Sequence, residues 1–406
     1  MITTINNEHK KVYVPNLRFP EFEGEWEKCK LLKICTFFSG GTPSSSNKDF
    51  YGGNIPFIRS GELHADSTEL FITQAGFDSS SAKMVEIGDL LLAMYGATSG
   101  DIAVSKIKGA INQAILCIRT KQNKKFIESV WNKHVSKNLR KYLQGGQGNL
   151  SADIIKGISF SFPTLKEQEK IANLVSLLDE RIATQNKIID KWQSLIKGLE
   201  DNLLDNPLWE KTYLRSFMQF FSTNSLSWEQ LSYEEGEIRN LHYGLIHGFQ
   251  TRSINSVSLP MIKNEAIPKQ YTLCQVGDVA FADASEDTGE IAKSVEFVDT
   301  IEGDTICGLH TIHGRDIKNR TVVGFKGFAF NSRYFHNQIK RLAQGTKVFS
   351  ITANNLSSCY VYLPDFDTQK AIVKLLKAYE EKLLVSKRLL EQYEKQKQYL
   401  LRQMFI

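Results

Sequence analysis

The chain has 406 residues, is 42% hydrophobic and 23% charged, and sets 50 Lys and Arg against 45 Asp and Glu, for a net charge of +5. These are ordinary globular proportions, which exclude wholesale disorder, collagen-like repeats and low complexity, and the length predicts two to three domains. No run approaches the roughly 18 apolar residues of a membrane span. The six cysteines (Cys29, Cys35, Cys117, Cys274, Cys307, Cys359) form no CxxC, which argues against a structural zinc site and a disulfide framework.

In chain order, the polar opening MITTINNEHKK has no apolar core of a secretory signal and predicts a loose leader on a cytoplasmic protein. Short β-rich runs follow at Ile55 to Ile58, Asp89 to Met94 and Ala114 to Arg119, separated by Gly and Ser clusters such as Phe38-Ser39-Gly40-Gly41-Thr42-Pro43-Ser44. Gly88-Asp89 predicts a tight turn before a buried strand. From Phe162-Pro163 to about Asp205 the pattern becomes helical. Ile171, Val175, Leu178, Ile182, Gln185, Ile189, Trp192, Ile196, Leu199 and Leu203 keep a 4-3-4-3 spacing broken only at Gln185, which is a heptad seam.

The second half repeats this plan. Leu208-Trp209-Glu210-Lys211 answers Glu25-Trp26-Glu27-Lys28, and Gly277-Asp278-Val279-Ala280 answers Gly88-Asp89-Leu90-Leu91. Leu309-His310-Thr311 is matched with Ile111-Asn112-Gln113. Further strands are predicted at Val279 to Ala282, Val295 to Val298 and Val322 to Phe330. A second helical stretch after Leu363-Pro364 carries the seam Ile372, Leu376, Tyr379, Leu383, Ser386, Leu390, Tyr393, Lys397, Leu400 and Met404. Its break at Ser386 corresponds to Gln185. A two-sided seam this long needs a partner, and each helix is the available partner of the other. The predicted domains are 1–163 (with the leader), a central helix over 164–205, 206–364, and a C-terminal helix over 365–406. The fold class is α+β: two pseudo-repeated α/β globules separated by two long helices.

Divided along the chain, the charge becomes informative. Residues 104–149 hold ten basic side chains against Glu128 alone, and 317–364 hold seven with no acid. The two stretches occupy equivalent places in the repeat, and such potentials attract phosphate. Catalytic signatures are missing: no GxxxxGK[ST], GxSxG or HExxH occurs, and Gly145-Gly146-Gln147-Gly148 falls short of GxGxxG. His310-Thr311-Ile312-His313 has no third metal ligand nearby in sequence. His242 and His247 fit polar loop donors.

Val14-Pro15-Asn16-Leu17-Arg18-Phe19-Pro20 with Gly24-Glu25-Trp26, Ser39-Gly40-Gly41-Thr42-Pro43-Ser44, Tyr51-Gly52-Gly53-Asn54-Ile55-Pro56-Phe57-Ile58, and above all Phe162-Pro163 to Ile171 with Glu167-Gln168 resemble the specificity subunits of type I restriction-modification systems. The resemblance spans nearly the whole chain, although the second globule carries Ile238-Arg239-Asn240-Leu241-His242-Tyr243-Gly244 where the GGTP-type loop would stand. It implies two target recognition domains on double-stranded DNA, each reading half of a bipartite target, with the helices as an antiparallel coiled coil that sets the gap. It also implies a non-catalytic chain with no cofactor or metal of its own. Two methyltransferase subunits would bring S-adenosylmethionine for adenine methylation, and restriction subunits would bring ATP and Mg. Candidate DNA-contacting residues are Thr42, Lys48, Tyr51, Arg59, Ser60, Tyr95, Ser99, Arg140, Lys141, Gln147 and Asn149 in the first globule. In the second they are Tyr243, His247, Arg252, Ser285, His313, Arg315, Arg333, Lys340, Arg341 and Lys347. The alternative is a coiled-coil scaffold that binds only proteins, which has no need of paired basic stretches.

Overall fold

The computed structural model describes residues 13–142, 149–249, 251–254, 258–299, 301 and 303–406, with side chains except over 135–142. The chain divides into two units, residues 1–184 with 390–406, and residues 185–389.

In both units the first strand of the globule closes onto the strand that precedes a long helix. Glu27–Lys30 pairs antiparallel with Ser159–Phe162, Glu27 facing Phe162. Glu210–Tyr213 pairs antiparallel with Tyr360–Leu363, Glu210 facing Leu363. Between these closures the first globule has a sheet in the order Cys35–Ser39, Ile115–Thr120, Leu90–Ala93, Ile102–Val104. The second has Met218–Phe221, Thr311–Asp316, Val279–Ala282, Ser294–Phe297, with Ser253–Ile254 added at the edge. A further sheet in each contains one parallel pair, Tyr51–Ile58 with Gly109–Ile111 and Arg239–Leu241 with Thr305–Cys307.

The central strands explain their own sequences. Side chains on a strand alternate faces, and here both faces are covered. Leu90 and Leu92 enter one core while Leu91 and Ala93 enter another. Val279 and Phe281 are split in the same way from Ala280 and Ala282. A continuous apolar run is the result. The predicted turns stand just before them. Gly88 and Gly277 take φ of +88° and +91°. Asp89 accepts the Glu86 N–H at 3.0 Å and Asp278 the Gln275 N–H at 2.8 Å.

The ladders correct one element of the repeat. Ala93 faces Ile115 and Ala282 faces Thr311, so His310 stands in the place of Ala114, two residues from the sequence match with Asn112. Three similar residues are weak evidence for an alignment, whereas backbone pairing determines it. The segment Val322 to Phe330 also differs from its predicted strand: Phe325–Ala329 is a helix, begun at Gly324 with φ +94°.

The long helices run over Leu165–Leu204 and Phe366–Met404. Each is tied to its globule by a first-turn glutamine that is 1% exposed. Gln168 donates to Pro163 O at 2.9 Å and Gln122 Oε1 at 2.7 Å, and accepts the Asn123 N–H at 3.1 Å. Gln369 donates to Pro364 O at 3.0 Å and Arg320 O at 3.1 Å, and accepts the Val322 N–H at 2.9 Å. Beside Gln168, Glu167 takes two 2.8 Å hydrogen bonds from Arg18.

The helices pack together antiparallel. In the first unit Ile171, Ala172 and Val175 share a core with Met404 and Phe405. The Phe405 ring lies 5.2 Å from Phe126 and 6.5 Å from Trp26. Lys397, the one cation on the seam, is paired with Asp179 at 2.6 Å. In the second unit Leu204 shares a core with Ile372 and Leu376, and the Trp192 and Tyr379 rings are 5.8 Å apart. Seam residues Ile171, Val175, Leu178, Ile189 and Ile196 are buried, as are Ile372 and Leu376, while Ile182, Trp192, Tyr379, Leu383, Leu390 and Tyr393 are partly so. The two polar breaks meet each other: the Gln185 side chain donates to Ser386 O at 3.0 Å, 201 residues away. In an antiparallel pair of equivalent helices a residue meets its own counterpart only at the midpoint.

Candidate nucleic-acid interface

In the first globule, hydrogen bonds gather four loops. The GGTP loop approaches Ile111 so closely that a Cβ on Gly40 would lie 1.8 Å from the Ile111 carbonyl oxygen, which only glycine permits. The Thr42 hydroxyl donates to Gln113, and the Tyr51 hydroxyl to Pro43 O at 2.7 Å. Tyr51 therefore braces this loop. Met94 N–H donates to Ala114 O and Leu150 N–H to Met94 O, each at 2.8 Å, and Ser99 Oγ reaches Met94 O at 3.0 Å. Lys48, Tyr95 and Asn149 are exposed around this assembly. Half-buried Ser60 follows Arg59, which is engaged by Glu62 and Glu69 at 3.0 and 3.1 Å. Arg140 and Lys141 belong to the helix Lys124–Tyr142, but their side chains, and Gln147 entirely, lie outside the described residues.

The second globule gathers loops at the corresponding place. Asp283 N–H donates to His310 O and Ile351 N–H to Asp283 O, both at 3.0 Å, and Tyr243 N–H to Leu309 O at 3.2 Å. Ala284–Ser285 pairs with Phe349–Ser350, and Ser285 Oγ accepts the Asp287 N–H at 3.1 Å. His247 lies 3.4 Å from Glu290 and 3.3 Å from Ala284 O. A chain of rings runs through this region: Trp228 to His242 at 4.5 Å, His242 to Tyr243 at 4.8 Å, Tyr243 to His310 at 5.2 Å. His242 is buried, and its Nδ1 accepts the Gly244 N–H at 3.2 Å at the start of the helix Tyr243–Gly248. Burial, then His310, lowers its pKa. It is a neutral acceptor, where the sequence suggested a loop donor. Lys340, Arg341 and Lys347 are exposed and have no acidic partner among the described residues. Arg333 is exposed 3.9 Å from Asp201.

Three candidates are committed to carboxylates. His313 is 1% exposed and bonded to Asp278 at 2.7 Å. Arg315 clasps the same carboxylate at 2.8 and 2.7 Å. Burial would raise the Asp278 carboxyl, but the hydrogen bonds from Arg315 and His313 outweigh it and hold the group below its ordinary range. The first globule repeats the pairing with Arg119 and Asp89 at 2.8 Å. Arg252 is fixed between Glu200 and Glu380 at 2.5 Å each.

Sequence counting could not see these pairings, and the basic stretches are less one-sided in space than along the chain. Lys106 meets Asp66 at 2.7 Å, Lys108 meets Glu86 at 3.1 Å, and Lys125 meets Glu128 and Asp179 at 2.6 and 2.7 Å. Arg320 meets Glu210 at 2.6 Å, and buried Lys326 meets Glu296 at 2.9 Å. The potential is confined to the cations left over.

The fold also supplies what the HxxH spacing lacked. Cys274, Cys307 and His313, all buried, place ligand atoms within 4.8 Å of one another, a donor set of the kind that holds zinc. His313 Nε2 is already on Asp278, and the Cys307 thiol is pushed well up by its hydrogen bond with Cys274 and by burial, which favours the protonated thiol. No helix among the described residues is long and apolar enough to cross a membrane.

Residues 23–192 match the family described as the type I restriction modification DNA specificity domain. The MjaX type I specificity subunit of Methanocaldococcus jannaschii is 25% identical over 93% of this chain and 92% of its own. The MjaVIII specificity subunit of the same organism is 22% identical over 94% and 91%. In fold, the chain is similar to the type I restriction-modification S subunit of M. genitalium, with a TM-score of 0.59 and 14% identity over 97% of this chain and 99% of that one. The match of the specificity domain over residues 23–192 and the near full-length likeness to specificity subunits agree with the duplicated globule-and-helix plan: the chain carries a type I restriction-modification DNA specificity domain and is similar to type I specificity subunits along nearly its whole length.

Proposed function

We propose that this chain is a DNA-specificity subunit that reads a bipartite duplex target, one half with each globule, and that the paired helices set the gap between the halves. The observation that carries this reading is the duplication. Two globules share one strand plan and one glutamine clamp, yet present different loops at the corresponding place: the GGTP loop with Thr42 and Gln113 in one, the ring chain ending at His310 in the other. Equivalent scaffolds with different loops suit two different half-sites. The division is 1–163 and 206–364 as target recognition domains, with 164–205 and 365–406 as spacer helices about 60 Å long at 1.5 Å per residue. Exposed Lys48, Lys340, Arg341 and Lys347 suit phosphates, and Tyr95, Asn149 and Tyr243 suit base edges.

The chain is non-catalytic in this reading. Two methyltransferase subunits carry S-adenosylmethionine and methylate adenine, and restriction subunits carry ATP and Mg. The test is methylome sequencing of a host that expresses this chain with its methyltransferase partners. Methylation at a split motif with a constant gap is expected. Methylation at one undivided motif would overturn the bipartite reading, and no methylation that depends on this chain would overturn DNA reading in favour of a protein-binding scaffold.

A further inference from the structure

We infer that His310 is a base-reading residue of the second globule, an inference that rests on the DNA-reading function proposed above. Its backbone takes φ +54°, a left-handed conformation that among the described non-glycine residues is shared only with Ala292 and Asn319. A Cβ makes that conformation unfavourable, and such strain persists only where surrounding structure enforces it. The fold does not demand it here. Ala114 occupies the same ladder position in the first globule and makes the same backbone bond, to Met94 N–H at 2.8 Å, without a positive φ.

The backbone bond that His310 O accepts from the Asp283 N–H at 3.0 Å is common to both globules, and the enforcing side-chain contacts are specific to the second. His310 Nδ1 lies 3.0 Å from Asp283 Oδ1, and the ring stands edge-on to Tyr243 at 5.2 Å. Tyr243 is itself packed on the His242 ring, which packs in turn on Trp228. The His310 side chain nevertheless remains 50% exposed, so burial does not offset the strain. What the strain secures is position. With Nδ1 committed to Asp283, Nε2 is the ring nitrogen left without a partner among the described residues, and an imidazole nitrogen on a half-exposed, positioned ring can hydrogen-bond one base edge. The Asp283 carboxylate disfavours a phosphate at the same spot, which assigns the contact to a base.

The test uses the complex with its methyltransferase subunits and compares wild type with His310→Ala, His310→Asn and His310→Gly by methylome mapping and thermal melting. Discrimination at one base pair of one half-site should fall about tenfold, the scale of one good base contact, with the other half-site intact. His310→Gly should melt no lower than wild type, because glycine adopts this φ without penalty. Retention of every base preference, an equal loss of methylation at all targets, or a lower melting temperature for His310→Gly would each overturn the assignment. An undivided target for the wild type would instead sink the bipartite function, so the two failures are distinguishable.

Discussion

Arg252, a basic residue on a loop, resembles a phosphate contact in sequence, and its partners decide otherwise. Glu200 and Glu380, one on each long helix, converge on its guanidinium at 2.5 Å within the second unit. Burial raises the Glu200 carboxyl from 4.5 to about 7, with Glu380 and Asp201 adding to the effect and Arg252 opposing it. Glu380 is raised as well, again by burial against Arg252. A carboxyl with a raised folded-state pKa holds its proton more tightly when folded. Its stabilisation is therefore complete below its ordinary pKa and is lost as pH rises through the folded value. For Glu200 the window is pH 4.5 to about 7. The melting temperature should decline across it, and Glu200→Gln should flatten the decline. An unchanged slope in Glu200→Gln would show that the carboxyl is not the source. Asp278, shifted the opposite way by Arg315 and His313 after burial, acts only at lower pH and leaves this window clear.

Where a long helix begins, the same side chain does the same job twice. Gln168 and Gln369 each use both amide ends, linking the proline carbonyl before the helix to the backbone of the globule. Removing either leaves buried backbone groups without partners, at about 1–3 kcal/mol. Gln168→Ala and Gln369→Ala should each lower stability by that amount in denaturant titration, and the double variant by about the sum, because the two sites share no partner. A loss below about 0.5 kcal/mol for either would mean that water replaces the amide. The Pro-x4-Gln spacing was visible in the sequence, but its purpose was not. The heptad seam was fully legible, since a helical period depends only on neighbours along the chain.

For the whole chain, the duplication and the proposed spacing function lead to one quantitative expectation. Seven residues inserted after Gln185 and seven after Ser386 preserve the seam and lengthen both helices by about 10 Å. At 3.4 Å per base pair, the gap of the methylated target should grow by about three base pairs with both half-sites unchanged. Methylome mapping reads this directly; altered half-sites or an unchanged gap would refute the spacing role.

Legible along the chain are the globule–helix duplication, the seam with its breaks at Gln185 and Ser386, the turns before the central strands, and the resemblance to specificity subunits. All of these are carried by spacing and residue type along the covalent chain. Which cations stay free depends on the folded chain, because Asp66, Asp89, Asp179, Asp278 and Glu296 reach their partners from distant segments. The tertiary structure likewise decides that His313 is a buried partner of Asp278, that Cys274 and Cys307 converge on it, and that His310, two residues off its sequence alignment, is the strained and exposed one. Such pairings depend on ladder register and through-space distance, which no local pattern encodes.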